Sequence, residues 1–275
     1  IEEYVLLLVL WDWGEPFMNP DLPKMISYAA ARDIRTVTST NAHFLQNQEY
    51  LDSILKAGLS TLIVAIDSLE EDTYARFRGR GRLKTVMEGL SCLVEAKKRL
   101  GAETKIHIRM VVTRHNEHEV RSMRRFAKAV GADWFSLKTV NINLDRRVRP
   151  EDLEPRNPRY RRFKYKRGTW ERILTEAVCR YVWTIANINA NGDVVGCCYD
   201  YDGSLKTGNV FEEPLTKIWN SPRFREFRRQ VYEDRRALPR CADCTVQYEP
   251  AGGGWYPYFT PLNETCRQKL QKLRD

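Results

Sequence analysis

The chain has 275 residues, 43% of them hydrophobic, and carries 45 lysines and arginines against 36 acids for a formal charge of +9. That length and apolar share build one large or two moderate folded domains and exclude a disordered chain. The longest apolar run, Tyr4 to Trp11, falls well short of the roughly 20 residues of a membrane span, and no basic-apolar-small signal pattern opens the chain. Seven cysteines, an odd number at low density, fit a reducing cytoplasm in which thiolates are free to hold metal, so a cytoplasmic protein with no membrane partner is expected.

Residues 4–11 predict a buried strand, followed by the loop Asp12-Trp13-Gly14-Glu15-Pro16 and a helix over 21–32 with Pro23 in its first turn. The next strand, 34–38, ends in Ser39-Thr40-Asn41, and a helix over 47–57 stops at Gly58. A third strand, 61–66, ends at Asp67-Ser68. Val86, Leu90, Leu93 and Val94 stripe one face of a predicted helix over 83–100, which terminates at Gly101. A strand over 105–112, a helix over 117–130 and a strand over 133–138 continue the series. Strands and helices recur about every thirty residues, the period of parallel βαβ crossovers, and such alternation folds as a doubly wound sheet or a barrel. Glu15, Asn41, Asp67 and Thr113 each lie just past a strand's carboxyl end, where both folds build their sites, although any one of them taken singly is more readily a helix cap than a ligand.

Residues 141–170, with Pro150, Pro155, Pro158 and many arginines, lack periodicity and read as a linker or a substrate-facing loop. Between Cys179 and Cys197, a β-prone run from Trp183, an Asn191-Gly192 turn and a second β-prone run predict a hairpin that brings these two cysteines together. A helix around 214–231 and the corner Cys241-Ala242-Asp243-Cys244 follow. Gly252-Gly253-Gly254 lacks the Lys-Ser/Thr pair of a phosphate loop and reads as flexible. The basic excess sits largely in 146–167 and 223–240, as solvated faces or an acid-binding surface. Tyr160, Phe163, Tyr165 and Trp170 among the arginines could stack bases, but anchoring the linker is the preferred reading, and nucleic acid is not an expected partner.

A Cys-x-x-Cys turn points both sulfurs one way, and two further thiolates complete either a tetrahedral zinc site or one [4Fe-4S] cluster. Zinc ribbons pair two such knuckles, whereas here the first pair is spread across a long hairpin, which favours iron-sulfur. Cys198, beside Cys197, is expected on the opposite strand face as a packing residue.

At this point a family resemblance emerges. Cys179, Gly192, Cys197 and Cys241-x-x-Cys244 resemble the auxiliary-cluster domain of radical S-adenosylmethionine (SAM) enzymes. Pro250 stands where the larger SPASM form carries a further cysteine, so the spacing is that of the one-cluster twitch form seen in aminocyclitol dehydrogenation. Gly208-Asn209-Val210, Ile218-Trp219-Asn220-Ser221 and Phe224 are similar to the rest of that domain. Trp13-Gly14-Glu15-Pro16 resembles the family's Gly-Gly-Glu-Pro segment, with Trp13 for the first glycine. Ser39-Thr40-Asn41 resembles its Ser/Thr-Thr-Asn-Gly, with Ala42 in the glycine position, and Asp67, Tyr74 and Arg78-Gly79 are similar to its Asp-Gly and Arg-Gly pair.

The resemblance implies that Gly14, Glu15, Pro16, Ser39, Asn41, Arg78 and Arg109 bind S-adenosylmethionine, Glu15 at the methionyl ammonium and Arg78 at the carboxylate, with the neighbours of Arg109 near Val111 to Thr113 facing the adenine. It implies that Cys179, Cys197, Cys241 and Cys244 hold an auxiliary [4Fe-4S] cluster. The implied fold is α/β: a partial (βα)6 TIM-type barrel over residues 1–145 lacking its first strand, an arginine-rich linker or substrate loop over 146–170, and a small α+β SPASM/twitch domain over 171–275. The family's Cys-x3-Cys-x2-Cys loop, with a second [4Fe-4S] cluster, is expected upstream of Ile1, and without it this chain is expected not to start the reaction. The implied activity is hydrogen abstraction by a 5'-deoxyadenosyl radical, for oxidation (dehydrogenation) or epimerisation of a sugar, cyclitol or similar small molecule. In epimerisation Cys198 or Cys266 would return the hydrogen. The alternatives are a peptide-modifying maturase and a non-catalytic metal-cluster or nucleic-acid-binding protein. The implied partners are a small-molecule or peptide substrate and an electron donor such as flavodoxin or ferredoxin.

Overall fold

Five short β-prone runs pair in chain order, β1 Leu7–Val9, β2 Arg35–Thr40, β3 Thr61–Ala65, β4 Lys105–Val112 and β5 Trp134–Thr139, and every pairing is parallel. Helices α1 Leu22–Ala30, α2 Gln48–Lys56, α3 Glu71–Arg78, α4 Leu83–Leu100 and α5 Val120–Ala129 fill the crossovers. The computed structural model describes residues 2–79, 81–142, 149–173, 179, 181–200, 202–242 and 244. They fall into two units, Glu2–Arg162 and Phe163–Glu249.

In the first unit successive side chains alternate across the sheet. Leu62, Val64, Ile106, Ile108, Met110 and Val112 form one core with Ile54 of α2, Leu90 and Leu93 of α4 and Met123 of α5. Val37 and Ile63 point the other way, to a smaller cluster with Leu7, Val9, Trp11 and Trp134. A doubly wound sheet would need helices on both faces and a reversal of strand order. Sequential order with one helical face is the barrel arrangement instead.

The predicted bounds of α4 and β4 match the structure residue for residue. Residues 117–130 divide into a 3-10 turn, Glu117–Glu119, and α5. Of the strand expected over 4–11 only Leu7–Val9 pairs, on Arg35, Thr36 and Val37. Helix α3 has no counterpart in the sequence expectation because Tyr74 is its single buried residue, so no apolar stripe announces it. Gly89, within α4, faces the turn at Ala42, which is fully buried and holds a left-handed φ of 69°. A short helix, α6 Pro150–Leu153, interrupts the arginine-rich segment.

In the second unit, α7 Tyr181–Thr184 precedes an antiparallel sheet of β6 Asn187–Ile188, β7 Asp193–Val195 and β8 Lys206–Asn209, with α8 Leu215–Trp219 and α9 Pro222–Asp234 following. The hairpin through Asn191-Gly192 forms as expected, with Gly192 at φ 83°. Its first run is shorter than expected, since Trp183 and Thr184 are helical and Val182 is buried against Phe227 and Val231. The single helix expected over 214–231 is broken at Asn220-Ser221. Ser221 caps α9 by accepting from Phe224 N at 3.1 Å, and Pro222 at its first position has no N–H to continue α8. Arg228 ties this corner, lying 4.1 Å above both the Trp219 and Phe224 rings and donating to the carbonyls of Val182 and Trp219. Phe163, Tyr165 and Trp170 stack edge-on in series and Arg172 covers Phe163, so these aromatics are engaged with each other. Gly252-Gly253-Gly254, Pro250 and Cys266 lie outside the described residues.

Candidate cofactor cradle and thiolate metal centre

At the carboxyl ends of β1 and β2 the loop geometry is set by one carboxylate. Glu15 Oε1 accepts from Phe17 N at 3.1 Å and Oε2 accepts from Asn41 N at 2.8 Å, so it stitches the first strand-end loop to the second. Pro16 follows as the first residue of a 3-10 turn. Gly14 has φ 89° with open space where a Cβ would be, and a side chain there would be strained by the backbone rather than by a neighbour. Asn41 Oδ1 accepts from His43 N at 3.0 Å, and Thr40 Oγ1 accepts from Ala42 N at 3.0 Å. Each Glu15 oxygen retains a further lone pair for a ligand.

A second stitch joins β3 to β4. Asp67, 1% exposed, accepts from Arg78 Nε at 2.5 Å and from Val111 N at 2.7 Å. Burial raises its pKa, against the pull of Arg78. Asn116 donates to the carbonyls of Asp67 and Val111, and buried Glu119 accepts from Ser68 Oγ and Leu69 N. Arg78 therefore spends one donor on Asp67 and keeps its two terminal amino groups. Ser39 pairs in register with Ile63, while Arg109 is level with Ala65 and Ser136, two residues further along the inner face. The structure thus links Glu15 to Asn41 and Arg78 to Asp67, and sets Ser39 and Arg109 on strands separated by β3.

Sequence reasoning passed over Asp12. It is accessible to solvent just past β1, yet the surrounding protein raises its pKa to about 6, opposed by Lys138 of β5. In a flat sheet β1 and β5 would stand four strand spacings, about 19 Å, apart. Lys138, on the opposite edge strand, nevertheless acts on Asp12. A lone acid between Trp11 and Trp13 was the one available signal. On β4, burial and then Arg109 push His107 down to about 3, and its neutral ring meets Ser136 Oγ at 2.7 Å. Because the folded state binds the Asp12 proton more tightly than the unfolded chain, Asp12 costs stability progressively as pH rises from about 4 to 6. Asp12→Asn is expected to match the parent in Tm below pH 4 and to exceed it above pH 6, by less than the full shift implies because water screens the group. A constant Tm difference across that range would refute the assignment.

In the second unit the four predicted thiols converge. Burial, and then the proximity of Cys197, Cys244 and Cys179, push Cys241 up to about 12, with Arg235 opposing. Cys179 packs on the Val182, Phe227 and Val231 cluster together with Leu238, from whose carbonyl the amides of Cys241 and Ala242 hang at 2.8 and 2.9 Å. Cys244 N donates to Cys241 O at 3.2 Å, and Arg235 and Arg236 donate to the carbonyls of the corner. Tyr199 N donates to Cys197 Sγ at 3.4 Å, a contact that favours thiolate.

Two residues the sequence did not mark secure this arrangement. Asp200, 1% exposed, accepts from Ser204 Oγ and Leu205 N at 2.8 Å, and Arg240, the residue before Cys241, lies 3.9 Å from it and pairs with Asp202. They bind the Cys197 loop to the Cys241 corner, and no periodic signal connects residues forty positions apart. Cys198 departs from expectation. β7 ends at Val195, so strand alternation no longer applies at 197–198, and the two thiols meet, raising the pKa of Cys197.

Four crowded thiols whose mutual charge opposes ionisation fit a cationic metal centre. Around one zinc their sulfurs would sit about 3.8 Å apart. No three of them come within 4.8 Å of one another. Among the described residues the group that does is Glu70, His118 and Glu119, in which Glu119 is already taken by Ser68 and Leu69.

A partial βα barrel with polar groups gathered at its strand ends is followed by a separate unit in which four thiols come together. Residues 3–127 match the radical SAM superfamily and residues 179–245 match an iron-sulfur cluster-binding domain, SPASM. The chain belongs to the radical SAM enzymes that carry a SPASM domain, and S-adenosylmethionine and [4Fe-4S] clusters are its cofactors.

The AdoMet-dependent heme synthase of Methanosarcina barkeri is 25% identical over 280 residues, covering 89% of this chain and 76% of that protein. The GTP 3',8-cyclase of Aquifex aeolicus is 25% identical, over 86% of this chain and 82% of that one. The Fe-coproporphyrin III synthase of Methanosarcina barkeri is 30% identical over 115 residues, and the chain spans about a quarter of its length (27%). Among solved structures, native anSMEcpe with bound AdoMet and a peptide matches with a TM-score of 0.54 at 13% identity, over 99% of this chain and 88% of that one. This likeness bears on the fold: a TIM-type partial barrel with a small sheet domain after it. No helix among the described residues is long and apolar enough to cross a membrane.

Proposed function

We propose that this protein dehydrogenates a small polar molecule such as a sugar or cyclitol, with Gly14, Glu15, Pro16, Ser39, Asn41, Arg78 and Arg109 as its S-adenosylmethionine residues. When bound, S-adenosylmethionine supplies the hydrogen-abstracting group and the cluster a one-electron acceptor. Glu15 holds the first two strand-end loops in position, and its remaining lone pairs accept the ligand's ammonium. Arg78, braced by Asp67, directs its terminal amino groups to the carboxylate. The observation that carries this reading is the convergence of Cys179, Cys197 and Cys244 on Cys241. Four protein thiolates leave no open coordination position for S-adenosylmethionine, so this centre serves electron transfer or the fold. Cys198 lies against Cys197, which removes it as the free hydrogen-donating thiol that epimerisation needs and leaves that role to Cys266.

The reading requires a three-cysteine cluster that cleaves S-adenosylmethionine, so its test uses the natural full-length product, purified without oxygen. Iron analysis is expected to give about eight irons per chain, and reduction with S-adenosylmethionine to give 5'-deoxyadenosine. Cys241→Ala is expected to lose about four irons and keep part of the cofactor cleavage. Zinc without iron, or an unchanged iron content in the variant, would sink the assignment.

A further inference from the structure

Helix α5, Val120–Ala129, carries Arg121, Arg124, Arg125 and Lys128 and no acid. At 3.6 residues per turn these four fall within an arc of about 100°, and the outermost two lie about 10 Å apart along the axis. All four are exposed. Arg124 lies 5.9 Å from the Phe135 ring, and none of the four has an ion-pair partner among the described residues. The acids nearby are committed elsewhere. Glu117 accepts from the amides of Arg156 and Asn157, Glu119 is buried on Ser68 and Leu69, and Asp133 pairs with Lys97 and Lys105. The Glu117 contact also sets exposed Arg156 and Arg159 beside the amino-terminal end of α5. A face with this much uncompensated charge works against the fold by self-repulsion, and it gains by meeting an acidic partner.

The chemistry of the face separates the possible partners. Single-stranded nucleic acid is held by aromatic platforms between the cations, but Phe126, the one aromatic side chain of α5, packs toward the core. A membrane surface requires an exposed apolar side, yet Val120, Met123 and Ala127 are buried. A radical SAM enzyme must be reduced, one electron at a time. Complexes with electron carriers are small, below about 1,200 Å² of buried surface, and are assembled by charge steering. We propose that the cationic face of α5 is the docking surface for an acidic one-electron carrier protein. The inference rests on the radical SAM reading.

The test compares two reductants on the anaerobic full-length protein. Dithionite makes no docking demand, whereas an acidic flavodoxin does. The triple variant Arg121→Glu, Arg125→Glu, Lys128→Glu is expected to lower the second-order rate of cluster reduction by flavodoxin at least about tenfold at low salt, and to flatten its decline with added salt. The dithionite rate and the 5'-deoxyadenosine yield with dithionite are expected to stay at parent values. A second variant, Arg121→Lys with Arg125→Lys, keeps the charge and is expected to keep the flavodoxin rate. Unchanged flavodoxin kinetics in the triple variant would overturn the proposal, as would an equal loss with dithionite. Loss of RNA binding with reduction intact would reassign the face to nucleic acid. Absence of 5'-deoxyadenosine from the parent protein with dithionite would count against the enzymatic reading itself, separately from the docking result.

Discussion

Replacing Gly89 by alanine is expected to destabilise the protein by about 3 kcal/mol, although the same exchange in an open helix interior would stabilise by about 1 kcal/mol. The added Cβ would overlap the carbonyl oxygen of Ala42 and stand 3.1 Å from Leu45 Cβ. The turn cannot easily retreat. Ala42 is already at φ 69°, its amide is held by Thr40 Oγ1, and the preceding amide is held by Glu15. Relief must therefore come from tilting α4 or from pulling Asn41 off Glu15, which would loosen the first strand-end stitch as well. Denaturant unfolding measures the cost, and a variant more stable than the parent would show that the close approach of α4 to this turn is wrong.

Asp67→Ala is expected to cost about 3–5 kcal/mol, because it leaves the Arg78 guanidinium beside an apolar gap and the Val111 amide without an acceptor. Asp67→Asn keeps an oxygen for Val111 N and is expected to cost less than half as much. The two variants separate the charge pair from the hydrogen bond. Equal losses in urea unfolding would mean that the carboxylate charge facing Arg78 carries the whole effect and that the Val111 hydrogen bond adds nothing. The Asn variant also bears on cofactor binding, since an Arg78 freed from its brace is less well aimed at a carboxylate.

Much of the barrel was legible because its signals are local. The stripe of Val86, Leu90 and Leu93 ends at Gly101, whose left-handed φ of 60° only a residue without a Cβ adopts freely, and α4 has the bounds that pattern predicts. Where the stripe was missing, as in α3, the helix was missed. Trp183 was misread because β-propensity describes a half-buried pleated surface, whereas its neighbour Val182 is buried in a helical turn against α9. The one-face arrangement of helices, which decides between barrel and doubly wound sheet, exists only once Leu62 and Ile63 point to different cores.

The sequence by itself determined the class of chemistry. Cysteine spacing, the Gly14-Glu15-Pro16 loop and the βα period specify which atoms are available and in what order, because these depend on residue type and on separations of a few positions. Tertiary structure alone decided how those atoms are held. Asp67 takes Arg78, Asp200 and Arg240 bind the Cys197 loop to the Cys241 corner, Cys198 turns toward Cys197, and Asp12 meets the field of Lys138. Apart from the adjacent Cys197–Cys198 contact, each pairing joins groups eleven or more residues apart. The Asp67 and Asp200 pairings are set by buried charge, which leaves no periodic trace in the chain.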